Sequence, residues 1–311
     1  MTSASRPGSQ AGPSPRVIRI GREEVTEHLT GLQAAECPFW DGSGQDLWLV
    51  DMAAPSLIRL HPETGEKTVW PMPEAIGSFA LCETDGKAIV ALAGGLFILD
   101  LGSGALRLFA RPEPEGSENR LNDGKASPEG RFWVGGMNLS TPRRAAAGLF
   151  RIDPDGAWTR VLDGIITSNG LAWSADGRRM FHSDSRGETL RSFDYEPATG
   201  DISGARTLAR LSDSEGRPDG GTIDAEGCYW SAGASASCLN RFAADGTLAE
   251  RYILPVAAPS MLCFGGPDFD RIFVTSLSVA KGGVTETGRV ISFPAPVRGL
   301  AGHRFRLEAP P

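Results

Sequence analysis

Short apolar runs rich in β-branched and aromatic residues recur along the chain, each after an Asp/Gly cluster, and no long segment sustains a 3.6-residue apolar period. Strands are therefore expected throughout and helices few. Aligning the central residue of each run puts Trp48, Ile89, Trp133, Phe181, Trp230 and Phe273 in one register, at spacings of 41, 44, 48, 49 and 43 residues. That interval is the period of a four-stranded propeller blade and exceeds those of leucine-rich, ankyrin and tetratricopeptide repeats. A second apolar run follows each anchor, at Leu57 to Leu60, Leu96 to Leu99, Leu149 to Ile152, Leu190 to Phe193, Leu239 to Phe242 and Val290 to Phe293. The two series predict an all-β fold, a six-bladed β-propeller of four-stranded antiparallel blades around a central axis. The early strand Val17 to Ile20 is expected to join the last blade, because closing the ring removes sheet edges open to aggregation.

Punctuation fits this reading. The 39 glycines and 22 prolines of the 311 residues suit many tight turns, and Asp85-Gly86, Asp155-Gly156, Asp176-Gly177 and Asp245-Gly246 are hairpin signals. Residues 1–15 are rich in Ser, Pro and Gly and lack an apolar core, so they read as a flexible N-terminal tail rather than a secretory signal, with a single propeller domain over 16–311. The longest apolar stretch, around Ala88 to Leu99, contains Gly94 and Gly95 and falls short of the about 20 residues a membrane helix requires. A formal charge of -7 argues against nucleic acid or an anionic membrane as partner. Five cysteines without a Cys-x-x-Cys pair support neither a zinc site nor a disulfide framework, so a cytoplasmic setting is expected, for a monomer or weak homo-oligomer.

The repeats also align polar positions. Glu36, Gly77, Asn122, Asn169, Asp219 and Ser260 each precede the next turn by the same interval. In a propeller the innermost strands surround the axis, so such equivalents converge although Glu36 and Asp219 are far apart in sequence. Taken singly, Asn169-Gly170 or Asp219-Gly220 would be a local turn; equivalence across blades favours one shared pocket. Oxygen-bearing side chains crowded into a dehydrated channel repel one another and lose water, and a divalent cation offsets both costs.

These segments resemble the senescence marker protein/gluconolactonase/luciferin-regenerating enzyme family, the regucalcin-like sugar lactonases. The family's Glu-Gly-Pro-x-Trp motif stands as Glu36, Cys37, Pro38, Phe39, Trp40, and Arg-x-Asn-Asp-Gly-Lys as Arg120, Leu121, Asn122, Asp123, Gly124, Lys125. Ser168, Asn169, Gly170 and Leu171 match a third motif, followed by Asp184-Ser185, and Pro218, Asp219, Gly220 a fourth. Cys37 departs from the pattern, where Gly is usual, as do Gly221, Thr222 and Ser140. The resemblance implies that Glu36, Asn169 and Asp219 ligate the metal, that Arg120 and Asn122 face substrate, and that Asp219 also serves as general base.

The expected activity is metal-dependent hydrolysis of a sugar (aldono)lactone to the aldonic acid, the metal polarising the lactone carbonyl and activating water. Oxygen ligands favour calcium, with magnesium, manganese, zinc or iron as alternatives. The competing readings are a phosphotriesterase-like or other ester hydrolase on the same metal, and a non-catalytic calcium-binding or ligand-sensing propeller. A His-based triad lacks a member, since none of His28, His61, His182 and His303 holds an equivalent inner position. His182 reads as a strand residue beside the pocket, and Arg143-Arg144 and Arg178-Arg179 as solvated surface charge.

Overall fold

Every apolar anchor lies in the second strand of a four-stranded antiparallel sheet, and six such sheets form the ring of a six-bladed β-propeller. A computed structural model describes residues 14–281 and 283–308; residues 1–13, most of the expected tail, lie outside that range. The innermost strands of the successive blades are Ala35–Asp41, Ile76–Leu81, Asn119–Ala126, Ser168–Trp173, Pro218–Ile223 and Pro259–Gly265. Each contacts its neighbours around the ring.

The second strands are near-continuous apolar runs because both of their faces are covered by adjoining blades; Leu47, Leu49 and Val50 have no exposure at all. Six apolar clusters form the core. One joins the first and second blades through Trp48, Leu57, Phe79 and Val90, another the third and fourth through Trp133, Leu149, Leu171 and Phe193, and the remaining four fill the other gaps. Outer strands instead alternate exposed and half-buried residues, as in Lys67–Pro71. The glycines of all four expected Asp-Gly turns have φ between 66° and 92°, a region open to Gly at no steric cost. Helix among the described residues is confined to three 3-10 turns, none long and apolar enough to cross a membrane. All five cysteines are free thiols.

Ring closure differs from expectation. Arg16–Arg19 does not enter the last blade; it pairs in parallel with Leu248–Ile253, the fourth strand of the fifth blade, with Val17 opposite Arg251. The last blade is completed by Thr26–Leu32, antiparallel to Gly288–Pro294, with Thr26 opposite Ser292. The polar segment Thr-Glu-His-Leu-Thr-Gly-Leu gives little apolar signal, yet Leu29 and Leu32 pack against the core between the sixth and first blades. Ile18 packs between the fifth and sixth, which holds the earlier strand on its neighbour's edge.

Beyond Pro294 the chain runs across the end of the ring where the first and second strands of each blade turn. It is fastened at Gly299, which donates to Phe269 O (2.9 Å), at Phe305, which donates to Leu81 O (2.9 Å), and at Arg306, which donates to Gly130 O (2.8 Å). These tie the sixth, second and third blades through one strap.

Candidate active site

Each innermost strand slips register once against its neighbour: between Glu36 and Phe39, Ile76 and Ser78, Leu121 and Gly124, Asn169 and Ala172, Pro218 and Gly221, and Pro259 and Met261. Six equivalent bulges therefore coincide with the six equivalent positions of the sequence, and a bulge re-aims the side chain it carries. Two of them require positive φ, at Cys37 (51°) and Gly170 (65°). Cys37 holds this conformation as a non-glycine residue where the family motif has Gly. At Gly77 a Cβ would come within 2.5 Å of Asn122 O. The second blade contributes no donor because its backbone presses against the third.

Glu36, Asn122 and Asn169 are buried in this ring, and Asp219 and Arg120 keep partial exposure. Asn122 Nδ2 donates to Ser168 O at 2.9 Å and to Asn169 Oδ1 at 3.3 Å, tying the third blade to the fourth. Asn169 Nδ2 donates to Ser185 Oγ at 2.7 Å, so the amide is oriented from one side and its oxygen faces Asn122. Glu36 Oε2 accepts Cys37 N at 3.2 Å. Burial, followed by the charges of Asp219 and Asp123, pushes the Glu36 carboxyl well above the usual carboxylate range. Asp219 is raised by burial and then by Asp123. The four inner candidates and Arg120 thus occupy one region of the channel.

Among the described residues no three His, Cys, Asp or Glu side chains form a ready-made metal cage. The candidate set is instead two carboxylates completed by amide oxygen. Neither Glu36 nor Asp219 has an ion-pair partner among the described residues, and burial is the first cause of the raised pKa of each. Two carboxylates without an ion-pair partner, on the same ring of bulges as the Asn169 amide, are a donor set that a hard divalent cation fits.

Residues given no role from sequence complete the region. Asp123 is buried, accepts the Cys37 thiol at 3.6 Å through Oδ1, and has no partner on Oδ2 among the described residues. Asp184 accepts the backbone N–H groups of Ile166 (2.9 Å), Thr167 (3.0 Å) and Gly187 (3.0 Å), which fixes the entry to the Asn169 strand. Asp51 does the same ahead of Glu36, accepting Gln33 N at 2.8 Å and Ala34 N at 3.0 Å. Both signals were present as strand-ending aspartates, but their backbone partners are not legible in composition.

Arg143 and Arg144 are exposed, as expected of surface charge. Arg143 is exposed, yet it lines a recess with Ile166 and Arg186 beside the channel. Burial and then the charge of Arg143 lower the pKa of Arg120, burial and then Arg186 lower that of Arg143, and Arg217 and Arg186 oppose the rise at Asp219. Arg143 is thus surface charge that shares a cationic recess with Arg186. His182 matches its expected place: fully buried, 2.8 Å from Ser168 Oγ, and held neutral with a pKa lowered to about 3 by burial. Its Nδ1 has no partner among the described residues, where the Ser168–His182 pair therefore lacks the orienting carboxylate of a triad.

Residues 34–278 match the family model described as the SMP-30/gluconolactonase/LRE-like region. The chain belongs to this family. Among its relatives, the 6-deoxy-6-sulfogluconolactonase of Pseudomonas putida is 37% identical over 247 residues, covering 78% of this chain and 82% of that one. The L-arabinolactonase of Azospirillum brasilense is 34% identical, covering 77% and 79%. A solved structure of regucalcin, a calcium-binding protein from Agrobacterium tumefaciens, superposes with a TM-score of 0.86 at 26% identity over 94% of this chain and 100% of that chain. The family assignment and the propeller agree with the reading of the four motifs, and two named relatives open sugar lactones, the ester class expected from sequence.

Proposed function

We propose that this chain is a sugar lactonase that holds one divalent cation, calcium first, on Glu36, Asn169 and Asp219. The observation that carries the reading is a pair of carboxylates, Glu36 buried and Asp219 part-buried, that have no ion-pair partner among the described residues and share the channel with an oriented amide, in a family with lactonase relatives. A bound cation supplies Lewis acidity toward the lactone carbonyl and makes water a better nucleophile at neutral pH. The protein's own groups do the rest. Asp219, once its negative charge is stabilised, accepts the proton released as water attacks and returns it to the ring oxygen that leaves. Arg120, its guanidinium held by Leu121 O at 2.8 Å, orients the substrate's polar groups, and Asn122 holds the third and fourth blades at a fixed separation.

The rim narrows the substrate. Arg143 and Arg186 face the same mouth without carboxylate partners among the described residues, so a lactone carrying an anionic substituent is a better electrostatic complement than a neutral one. The sulfonated substrate in the name of the Pseudomonas relative supports this direction.

The test is a pH-indicator assay on metal-stripped protein reloaded with single cations, over neutral lactones, lactones with an acidic substituent, aryl esters and phosphotriesters. Acid release from lactones, lost with chelator and restored by cation, is expected. Replacing Arg186 by Gln raises KM about tenfold for the acidic lactone and leaves the neutral one unchanged. A cation-loaded protein inactive on every compound would overturn the catalytic reading in favour of a sensing propeller.

A further inference from the structure

Three residues beyond each polar position of the innermost strands lies a second set of equivalents: Phe39, Ala80, Lys125, Ala172, Thr222 and Cys263. In an unbroken strand the third residue on faces the opposite way. Here the bulge adds one residue, so both sets face the channel. All six line a single cavity of about 270 Å³ towards the other end of the channel. Phe39, Lys125, Thr222 and Cys263 keep accessible surface although they sit on innermost strands, which a lumen explains.

The chemistry of this second layer differs from the first. Its lining is largely aromatic, aliphatic or small, with Ser174, Thr222 and His303 as polar members, and its one ammonium among the described residues is Lys125. Lys125 Nζ donates to Gly221 O at 2.7 Å, which leaves two of its three N–H groups without an acceptor among the described residues. Asp123 acts on it as a neighbouring charge but does not line the cavity. Ala80 and Ala172 leave the space that larger residues would fill. The far mouth is covered by Leu300 to His303 of the C-terminal strap, where a Cβ on Gly302 would lie 2.5 Å from the Phe39 ring.

We propose that this chamber is a second ligand site, separate from the lactone site, for a small organic anion: a carboxylate on Lys125 and a compact apolar body against Phe39, Trp173 and Met261. A dry cavity of about 150 Å³ accepts benzene, so the chamber holds a six-membered ring with a carboxylate attached. A polyhydroxylated sugar is the wrong occupant, since the largely apolar lining would leave most of its hydroxyls without partners.

The test uses the calcium-loaded full-length chain, with benzoate and benzyl alcohol as probes, read by calorimetry and by the fluorescence of Trp40 and Trp173, which line the chamber. Benzoate is expected to saturate, to bind more tightly than the alcohol, and to bind undiminished in saturating gluconate. Lys125→Met weakens benzoate about tenfold and leaves benzyl alcohol unchanged. Thr222→Trp fills the chamber and abolishes binding of both, while lactone hydrolysis, if that reading holds, persists in both variants. Cys263→Phe is the alternative filler should Thr222→Trp not unfold cooperatively. Absence of saturable binding, displacement of benzoate by gluconate, or equal loss of both probes in Lys125→Met overturns the proposal, and none of these outcomes bears on whether the axial site opens lactones.

Discussion

Truncating Asp184 to Ala measures how far the axial geometry depends on a residue that touches no candidate ligand. Asp184 is 3% exposed and lies opposite Ser168 in the register of the fourth blade. Its Oδ2 accepts Ile166 N, and its Oδ1 accepts Thr167 N and Gly187 N, at 2.9 to 3.0 Å. A hydrogen bond to a charged acceptor contributes about 1.5–3 kcal/mol, and water can reach Ile166 and Gly187 more readily than the buried Thr167 amide, so the three together should cost roughly 3–5 kcal/mol. Asp184→Asn keeps both bonds to Oδ1 and sets the donor NH2 of its amide against Ile166 N–H, for about 1–2 kcal/mol. Urea unfolding reads this as a lower midpoint with an unchanged slope. Because Ile166 and Thr167 lead into the Asn169 strand and Ser185 follows Asp184, calcium affinity measured by calorimetry should fall about 10–100-fold in the Ala variant. An Ala variant within about 0.5 kcal/mol of the parent and with the parent's affinity would refute the account.

Three further outcomes are expected. Ser185→Ala frees the Asn169 amide to rotate and weakens calcium binding about tenfold in the same calorimetric titration, with little change in the urea midpoint. At Cys37, whose φ is 51°, Gly should stay within about 1 kcal/mol of the parent, since relief of backbone strain offsets the lost thiol burial, whereas β-branched Val should destabilise by more than that in urea titrations. In metal-stripped protein, Glu36 and Asp219 have folded pKa values above their unfolded ones. The folded state then holds protons that the unfolded state has released, so stability is fullest below the ordinary carboxylate pKa and declines as pH rises towards neutrality. Calcium should flatten that decline, and urea midpoints across the range, with and without the ion, check the sign.

The parts legible in sequence were those that repeat. All six anchors fall in second strands and all six following runs in third strands, because strands covered on both faces must be apolar wherever they occur. The polar equivalents were legible for the same reason: Glu36, Asn122, Asn169 and Asp219 share a place in the repeat, and the structure brings them to one channel. Thr26–Leu32 was missed because an outermost strand needs only a few apolar contacts, here Leu29 and Leu32. Val17 to Ile20 was drawn to the wrong blade because apolar alternation reports that an edge will be used, not which one. The bulges escaped notice since a one-residue insertion leaves no mark on composition, and with them the second layer of the channel, whose members sit at an odd offset. Asp184, Asp51 and Ser185 act through backbone amides or through one side chain on another strand, and such partnerships are set by tertiary register alone.

The sixth blade draws its outermost strand from near the start of the chain and its other three from near the end. His28 Nε2 lies 2.8 Å from Ser292 Oγ, and Arg289 Nη1 2.5 Å from Glu27 Oε2, across more than 260 residues of intervening sequence. During synthesis Thr26–Leu32 must therefore wait, unpaired, until almost the whole polypeptide has left the ribosome. Closing so long a loop makes circularisation a late and slow event in folding. A circular permutant that begins within the loop between the first two blades would assemble the sixth blade from contiguous chain and shift that delay to another seam.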